Sequence, residues 1–228
     1  MQVRIKQVAS YMYKLVTGHK AFKTTDYHQN RNLFQELANG QAPEALFITC
    51  SDSRIDPNML TGALPGELFI CRNAGNIVPP HTAEHTGGIT ASIEFAVMVL
   101  NVEHIIICGH TDCGAMKGAL DPDSIRSLPH VFAWLSHCHE AVEKAGIEKH
   151  NDSPEALLEM TRSNIRQQLE HLQEHPSVAR NLKTGMLELH GWLYDIGHGN
   201  VTCLDDLTGE FVSIDQRYAS LLEKEQQE

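Results

Sequence analysis

The sequence predicts an α/β protein, a single domain with a mainly parallel central β-sheet flanked by helices and preceded by an N-terminal helical arm. Three observations lead there. The runs "ALFITC", "ELFICR" and "HIIICGH" are continuously apolar, as parallel strands covered on both faces are. Between the last two lies "GGITASIEFAVMVL", apolar almost all round, which suits a buried crossover helix. A chain of 228 residues with 42% hydrophobic residues can bury one substantial core.

Taken in order, Val8, Met12 and Leu15 fall at helical spacing with Tyr11 and Val16 beside them, giving an amphipathic arm whose apolar face would pack on a partner subunit. A second helix is expected from about Tyr27 to Leu37, ending at Asn39 and Gly40. The three strands and the crossover helix follow. "LPHVFAWLSHCHEAVEKAG" reads as helical. Ser153 and Pro154 cap a helix carrying Leu158, Ile165, Leu169 and Leu172, and Pro176 and Gly185 bracket a shorter one. "MLELHGWLYDIGHGNVTCLDD" reads as two strands around a Gly-rich turn, and "EFVSI" extends the sheet. The single domain thus divides into an arm (residues 1–40), a core carrying the chemistry (41–120), and helices with C-terminal strands (121–228).

The formal charge of -11 argues against nucleic acid and anionic membrane as partners, since both require basic patches. It favours a small neutral or singly charged substrate. No apolar run approaches the length of a membrane span, and the N-terminus lacks a continuous apolar core and a small-residue cleavage site. A cytoplasmic protein is therefore expected. Six cysteines (Cys50, Cys71, Cys108, Cys113, Cys138 and Cys203) in such a chain argue against a disulfide framework. Cys71 and Cys108, inside strand-like runs, read as inert buried thiols.

Catalytic groups of a parallel sheet gather at the carboxyl ends of its strands, where Cys50 and His110 both fall. "CGHTDCGAMKG", residues 108 to 118, sets His110 and Cys113 three apart on a Gly-punctuated turn. Together with Cys50 they could form a Cys2His zinc set with a fourth position open. Cysteines at strand ends are also often simply buried, and the residues alone leave both readings open. "HCH", with Cys138 between His137 and His139, diverges in direction on a helix and is assigned to surface and core.

"CSDSR", followed by "PGELF", "RNAGN" and "CGHTDCGAMKG", resembles the β-class carbonic anhydrases over about Gln41 to Gly118. The resemblance implies that Cys50, His110 and Cys113 are zinc ligands and that Asp52 and Arg54 form a catalytic dyad. It implies reversible hydration of carbon dioxide to bicarbonate and a proton through zinc-bound hydroxide. Two thiolates would cancel the charge of the ion, so a carboxylate that orients the nucleophile becomes valuable. Arg54 would hold Asp52 by a bidentate pair and keep it off the metal. The bland alternative for Asp52 and Arg54 is a surface salt bridge.

By the same resemblance Phe69 is a pocket aromatic, and Gln41, in "NGQAP", reaches the partner subunit's pocket to bind substrate. Phe95 is also placed among the substrate-binding residues, at a position where many relatives carry tyrosine and this chain lacks the hydroxyl. Phe47 stands where a bicarbonate-inhibited branch has tryptophan, with Arg72 shared; lacking the indole donor, this chain is expected to be of the open, plant-like type. His81 and His85 are the candidates for proton transfer. The implied partner is the chain itself, as a homodimer or higher even oligomer. The rivals are a hydrolase of the same fold acting on a molecule such as carbon disulfide, and a non-catalytic scaffold stabilised by zinc. A structural zinc would need none of Asp52, Arg54 and Gln41.

Overall fold

The computed structural model describes residues 2–81, 87–148 and 150–225. The chain forms two compact units, Met1–Gln41 and Ala42–Glu228.

The N-terminal unit consists of α1 (Gln2–Thr24), α2 (Asp26–Gln29) and α3 (Arg31–Leu37). The single helix expected from Tyr27 to Leu37 is broken at Asn30, whose backbone leaves the helical region (φ -106°, ψ 28°). Its side-chain amide donates to the Asp26 carbonyl at 3.0 Å, the local competition with helical bonding that asparagine offers. Tyr27 stacks on Phe34 at 5.2 Å and Phe22 meets Phe34 edge-on at 5.7 Å, which ties the three helices together. Tyr11, Met12, Leu15 and Val16 are all exposed; the side chain of Val8 lies outside the described residues.

In the second unit the elements run β1 (Ala45–Cys50), α4 (Pro57–Thr61), β2 (Leu68–Asn73), α5 (Gly88–Met98), β3 (His104–His110), α6 (Gly114–Leu120), α7 (Pro129–Leu135) and α8 (His139–Ala145). There follow α9 (Pro154–Glu174), α10 (Pro176–Lys183), β4 (Glu188–Tyr194), β5 (Val201–Leu204), β6 (Phe211–Ser213), α11 (Ile214–Arg217) and α12 (Ala219–Glu225). The six-stranded sheet has the order β2-β1-β3-β4-β5-β6. The first four strands are parallel, and β5 and β6 are antiparallel additions.

Strand alternation sends Leu46, Ile48, Ile105 and Ile107 to one face, where they meet Ile93, Ala96 and Val97 of α5, Ile165, Leu169 and Leu172 of α9, and Val178 of α10. Ala45, Phe47, Ile106 and Cys108 pack on the other with Leu60 and Trp192. Two expectations need correction. "ELFICR" does not make a strand covered on both faces: β2 is the edge strand of the sheet, and its faces are covered only in part, half-exposed at Leu68 and Phe69 and exposed at Ile70. The crossover helix α5 is not buried all round either; it buries Ile93, Ala96 and Val97 and leaves Phe95 and Met98 exposed, with Val99 just beyond it. Among the described residues no helix is long and apolar enough to cross a membrane.

Candidate metal centre

β1 and β3 are adjacent and parallel, so their last residues, Cys50 and His110, emerge at the same edge of the sheet. Three residues on, Cys113 precedes the first turn of α6. The Sγ atoms of Cys50 and Cys113 lie 3.9 Å apart. The donor atoms of Cys50, His110 and Cys113 all fall within 4.8 Å of one another, and all three residues are buried. His110 Nδ1 lies 2.8 Å from the Thr111 carbonyl, so that nitrogen carries the proton and Nε2 presents a lone pair. Nε2 is buried with no hydrogen-bond partner. An orphaned ring nitrogen in a dry pocket is costly unless something accepts its lone pair.

The loop after β2 closes the cluster. Gly75 N–H donates to Cys50 Sγ at 3.4 Å, and Asn73 holds the loop through Ile77, giving and taking a hydrogen bond. Gly75 sits at φ +83°, and a Cβ there would be 3.0 Å from both Ala115 Cβ and Met116 Cε. Only glycine adopts that backbone so close to α6 without strain.

Cys50 is pushed down, first by the hydrogen bond from Cys113 and further by the backbone N–H groups of Gly75 and Asp52, against burial. Cys113 is pushed up, first by the hydrogen bond that its own thiol donates to Cys50 and then by burial. By contrast, burial alone raises Cys138 to about 12, and burial raises Cys108 to the same value. The thiols at the strand ends are therefore set apart chemically from those in the core. The donor set fits zinc: two sulfurs about 2.3 Å from a tetrahedral ion stand about 3.8 Å apart, and the observed separation is 3.9 Å.

Asp52 borders the cluster, with Oδ2 3.9 Å from His110 Nε2. Arg54 grips both of its oxygens, Nε to Oδ1 at 2.9 Å and Nη2 to Oδ2 at 2.8 Å, while the Arg54 backbone N–H also donates to Oδ1. That guanidinium holds the Asp52 carboxyl well below the usual carboxylate range. The same guanidinium reaches Asp112, with Nη1 2.9 Å from Oδ2 and Nη2 3.1 Å from the carbonyl oxygen. Asp112, at φ +57°, is also paired with Lys117, and that partner first, then Arg54, lowers its pKa.

Asp112 was not legible as part of the site, because its carboxylate is aimed by a left-handed backbone that no spacing rule reveals. Arg72 has a part in the site beyond the one its sequence position implies. Its guanidinium straps the loop after β1, donating to the Cys50 carbonyl at 3.1 Å and the Asp52 carbonyl at 2.6 Å. Beneath the Gly75 loop, α9 supplies a buried relay in which Asn164 donates to the Gly75 carbonyl, Gln168 to Asn164, and the Val78 N–H to Gln168.

Of the other expected residues, Phe69 and Phe95 form a tilted ring pair 6.0 Å apart. Phe47 is fully buried and meets Trp192 edge-on at 6.0 Å. Gln41 ends the N-terminal unit and is exposed. His81 is exposed, edge-on to His175 at 5.6 Å; His85 lies outside the described residues. Cys138 is fully buried and its thiol reaches Asn164 Oδ1 at 3.3 Å, a core role as expected.

A mainly parallel α/β sheet carrying a Cys2His cluster at its strand ends, with a clamped carboxylate beside it, defines a class of α/β scaffold whose donors could hold a metal ion at the edge where such sheets place their active sites. Comparison with known proteins narrows the class. Residues 45–201 match the family model described as "Carbonic anhydrase". A carbonic anhydrase of Pseudomonas aeruginosa is 44% identical over 203 residues, covering 89% of this chain and 92% of the relative. "Carbonic anhydrase 1" of Escherichia coli O157:H7 is 41% identical, with the same coverage of both chains. The solved β-carbonic anhydrase CcaA superposes with a TM-score of 0.85 at 40% identity over 89% of this chain and 99% of its own. A β-carbonic anhydrase described as tetrameric, from Sordaria macrospora, gives 0.74 at 31% identity over 90% and 100%. This chain belongs to the β-carbonic anhydrase family of enzymes.

Proposed function

We propose that this chain catalyses the reversible hydration of carbon dioxide to bicarbonate and a proton, with zinc held by Cys50, His110 and Cys113. The observation that carries the reading is the clamped carboxylate beside the three donors, since a purely structural metal site has no use for it. Zinc in this set would supply a Lewis acid that makes water more acidic. Asp52, kept ionised by Arg54, accepts a hydrogen bond from the attacking water and fixes which lone pair faces the substrate carbon. Arg54, itself anchored on Asp112, keeps both Asp52 oxygens occupied and so keeps the carboxylate from swinging onto the donor cluster. Arg72 fixes the loop that carries Asp52 by its backbone.

Phe69 and Phe95 would offer apolar ring surface to a small uncharged substrate, and Gln41 a hydrogen-bond donor from a neighbouring subunit of an even-numbered oligomer. Phe47 in place of an indole donor supports the open, plant-like type. Stopped-flow hydration with metal analysis tests the whole reading. Cys113→Ser is expected to remove one zinc per chain and abolish hydration, whereas a variant retaining both would overturn the assignment. In the same assay, rising bicarbonate should give ordinary product inhibition of the unmutated protein. A steep cooperative loss would place the chain in the other branch.

A further inference from the structure

The parallel pairing of β3 with β4 sets His104 opposite Glu188 and Ile106 opposite His190. Alternation along each strand puts His104, Glu188 and His190 on one face of the sheet, at the end where both strands begin. His104 and His110 are the first and last residues of the same strand. Six residues at about 3.3 Å each separate their backbones by roughly 20 Å. This cluster is therefore remote from the thiols. Its donor atoms lie within 4.8 Å of one another.

We propose that His104, Glu188 and His190 form a second divalent-metal site, suited to zinc. The geometry argues for it. His104 Nδ1 and His190 Nε2 are 3.1 Å apart, and Glu188 Oε2 stands 3.9 Å from each of them. The point equidistant from three atoms so placed lies about 2.1 Å from every one, within the range of zinc–nitrogen and zinc–oxygen bonds. Two imidazoles sharing a proton would explain the short contact between the rings. They would not explain a carboxylate oxygen held at the same distance from both.

The surroundings support a ligand role as well. Behind His190, the Tyr218 hydroxyl lies 3.0 Å from Nδ1 and accepts a hydrogen bond from Trp192 Nε1 at 3.2 Å. A ligating imidazole needs its remote nitrogen fixed by such a partner, and a hydroxyl that can accept from Nδ1–H leaves Nε2 free for the ion. On the solvent side, His104 and Glu188 line a cavity of about 430 Å³ together with Asn101, Glu103, Asn181 and Met186. The cavity gives an ion a way in and leaves room for water to complete the coordination. Two nitrogens and one oxygen match the borderline preference of zinc, in contrast to the sulfur-rich set at the far end of the strands. An ion there would pin β3 to β4 at their origin and, through Tyr218, tie down the segment between α11 and α12.

Zinc content after equilibrium dialysis against zinc tests the proposal, comparing the unmutated protein with His104→Ala/Glu188→Gln. The two side chains are 42% and 70% exposed, so their replacement leaves the core intact. The double variant is expected to hold one zinc fewer per chain while keeping the zinc that Cys113→Ser removes. Cobalt(II) distinguishes the two sites, because the ion lost from the double variant should carry visible d–d bands without sulfur-to-cobalt charge transfer. That readout stands whatever the thiol cluster binds. Tyr218→Phe should weaken the second ion's binding by about ten-fold. Equal zinc in the double variant and the unmutated protein would overturn the proposal. So would loss of a charge-transfer band with the double variant, or an extra ion that is removed instead by His150→Ala, since Asp121, Asp123 and His150 also cluster within 4.8 Å.

Discussion

Arg54 faces two carboxylates at once, and its side chain is still 43% exposed. At that exposure the ion pairs contribute little to stability; their value lies in geometry. Three hydrogen bonds from one residue fix the plane of Asp52, and the anchor on Asp112 fixes Arg54 in turn. Because the Asp52 pKa is lowered in the folded protein, its contribution to stability is present above the ordinary carboxylate value and is lost only as the pH falls through the depressed one. Arg54→Ala and Asp52→Asn are each expected to lower hydration activity about 10- to 100-fold with the fold retained, the range for groups that orient a metal site. Turnover equal to that of the unmutated protein, measured by stopped flow with circular dichroism as the control for folding, would sink the orienting role. That Cys50 and His110 come together was legible from the strand ends, whereas the pairing of Asp52 with Arg54 was expected from the family resemblance. Asp112 was not, since its part depends on a positive φ and on meeting a residue 58 positions away.

Helix α9 explains most of what element-level patterns could and could not reveal. Its cap was readable, Ser153 Oγ accepting the Ala156 N–H at 3.2 Å, and so were its apolar positions. Its buried polar residues were not, because Asn164, Gln167, Gln168 and His171 look like a solvated face until the Gly75 loop and α8 are laid against them. The outward faces of α5 and β2 were not legible for the converse reason: an apolar run shows that residues avoid water without showing which neighbour covers them. The close approach of α9 to the sheet depends on glycines in β3 and β4. A Cβ at Gly191 would fall 2.9 Å from Ile165 Cγ2 and 3.0 Å from Leu169 Cδ1. One at Gly109 would fall 2.8 Å from Thr161 Cγ2 and 3.0 Å from Ile165 Cδ1. Gly191→Ala should therefore destabilise the protein by about 1–3 kcal/mol through overpacking, seen as a lower midpoint in urea with an unchanged slope. A neutral effect would show that α9 can move off the sheet without cost.

On the scale of the whole molecule, each unit, taken by itself, carries exposed apolar side chains. In the N-terminal unit Tyr11, Met12, Leu15 and Val16 range from 48% to 62% exposed. In the second, Ile70, Phe95, Met98 and Val99 range from 37% to 58%. Apolar surface on this scale points to association, and closed symmetric oligomers are the common solution. Association with a second copy stays an expectation of the sequence, since no single-chain pattern encodes which surfaces meet. Gln41 carries the sharpest consequence. If it serves the site of a neighbouring subunit, a chain lacking it retains intact metal ligands, while a Cys113→Ser chain supplies the glutamine but has a damaged metal centre. Co-expressed and co-purified mixed dimers of Gln41→Ala with Cys113→Ser should then contain one complete site, in which the intact donors of the first chain borrow Gln41 from the second. Their hydration activity is expected to exceed the average of the two parent homodimers, with Gln41→Ala alone measurably impaired. If that impairment is present and mixing yields only the average, Gln41 acts within its own chain, and the arm has some purpose other than completing a neighbour's site.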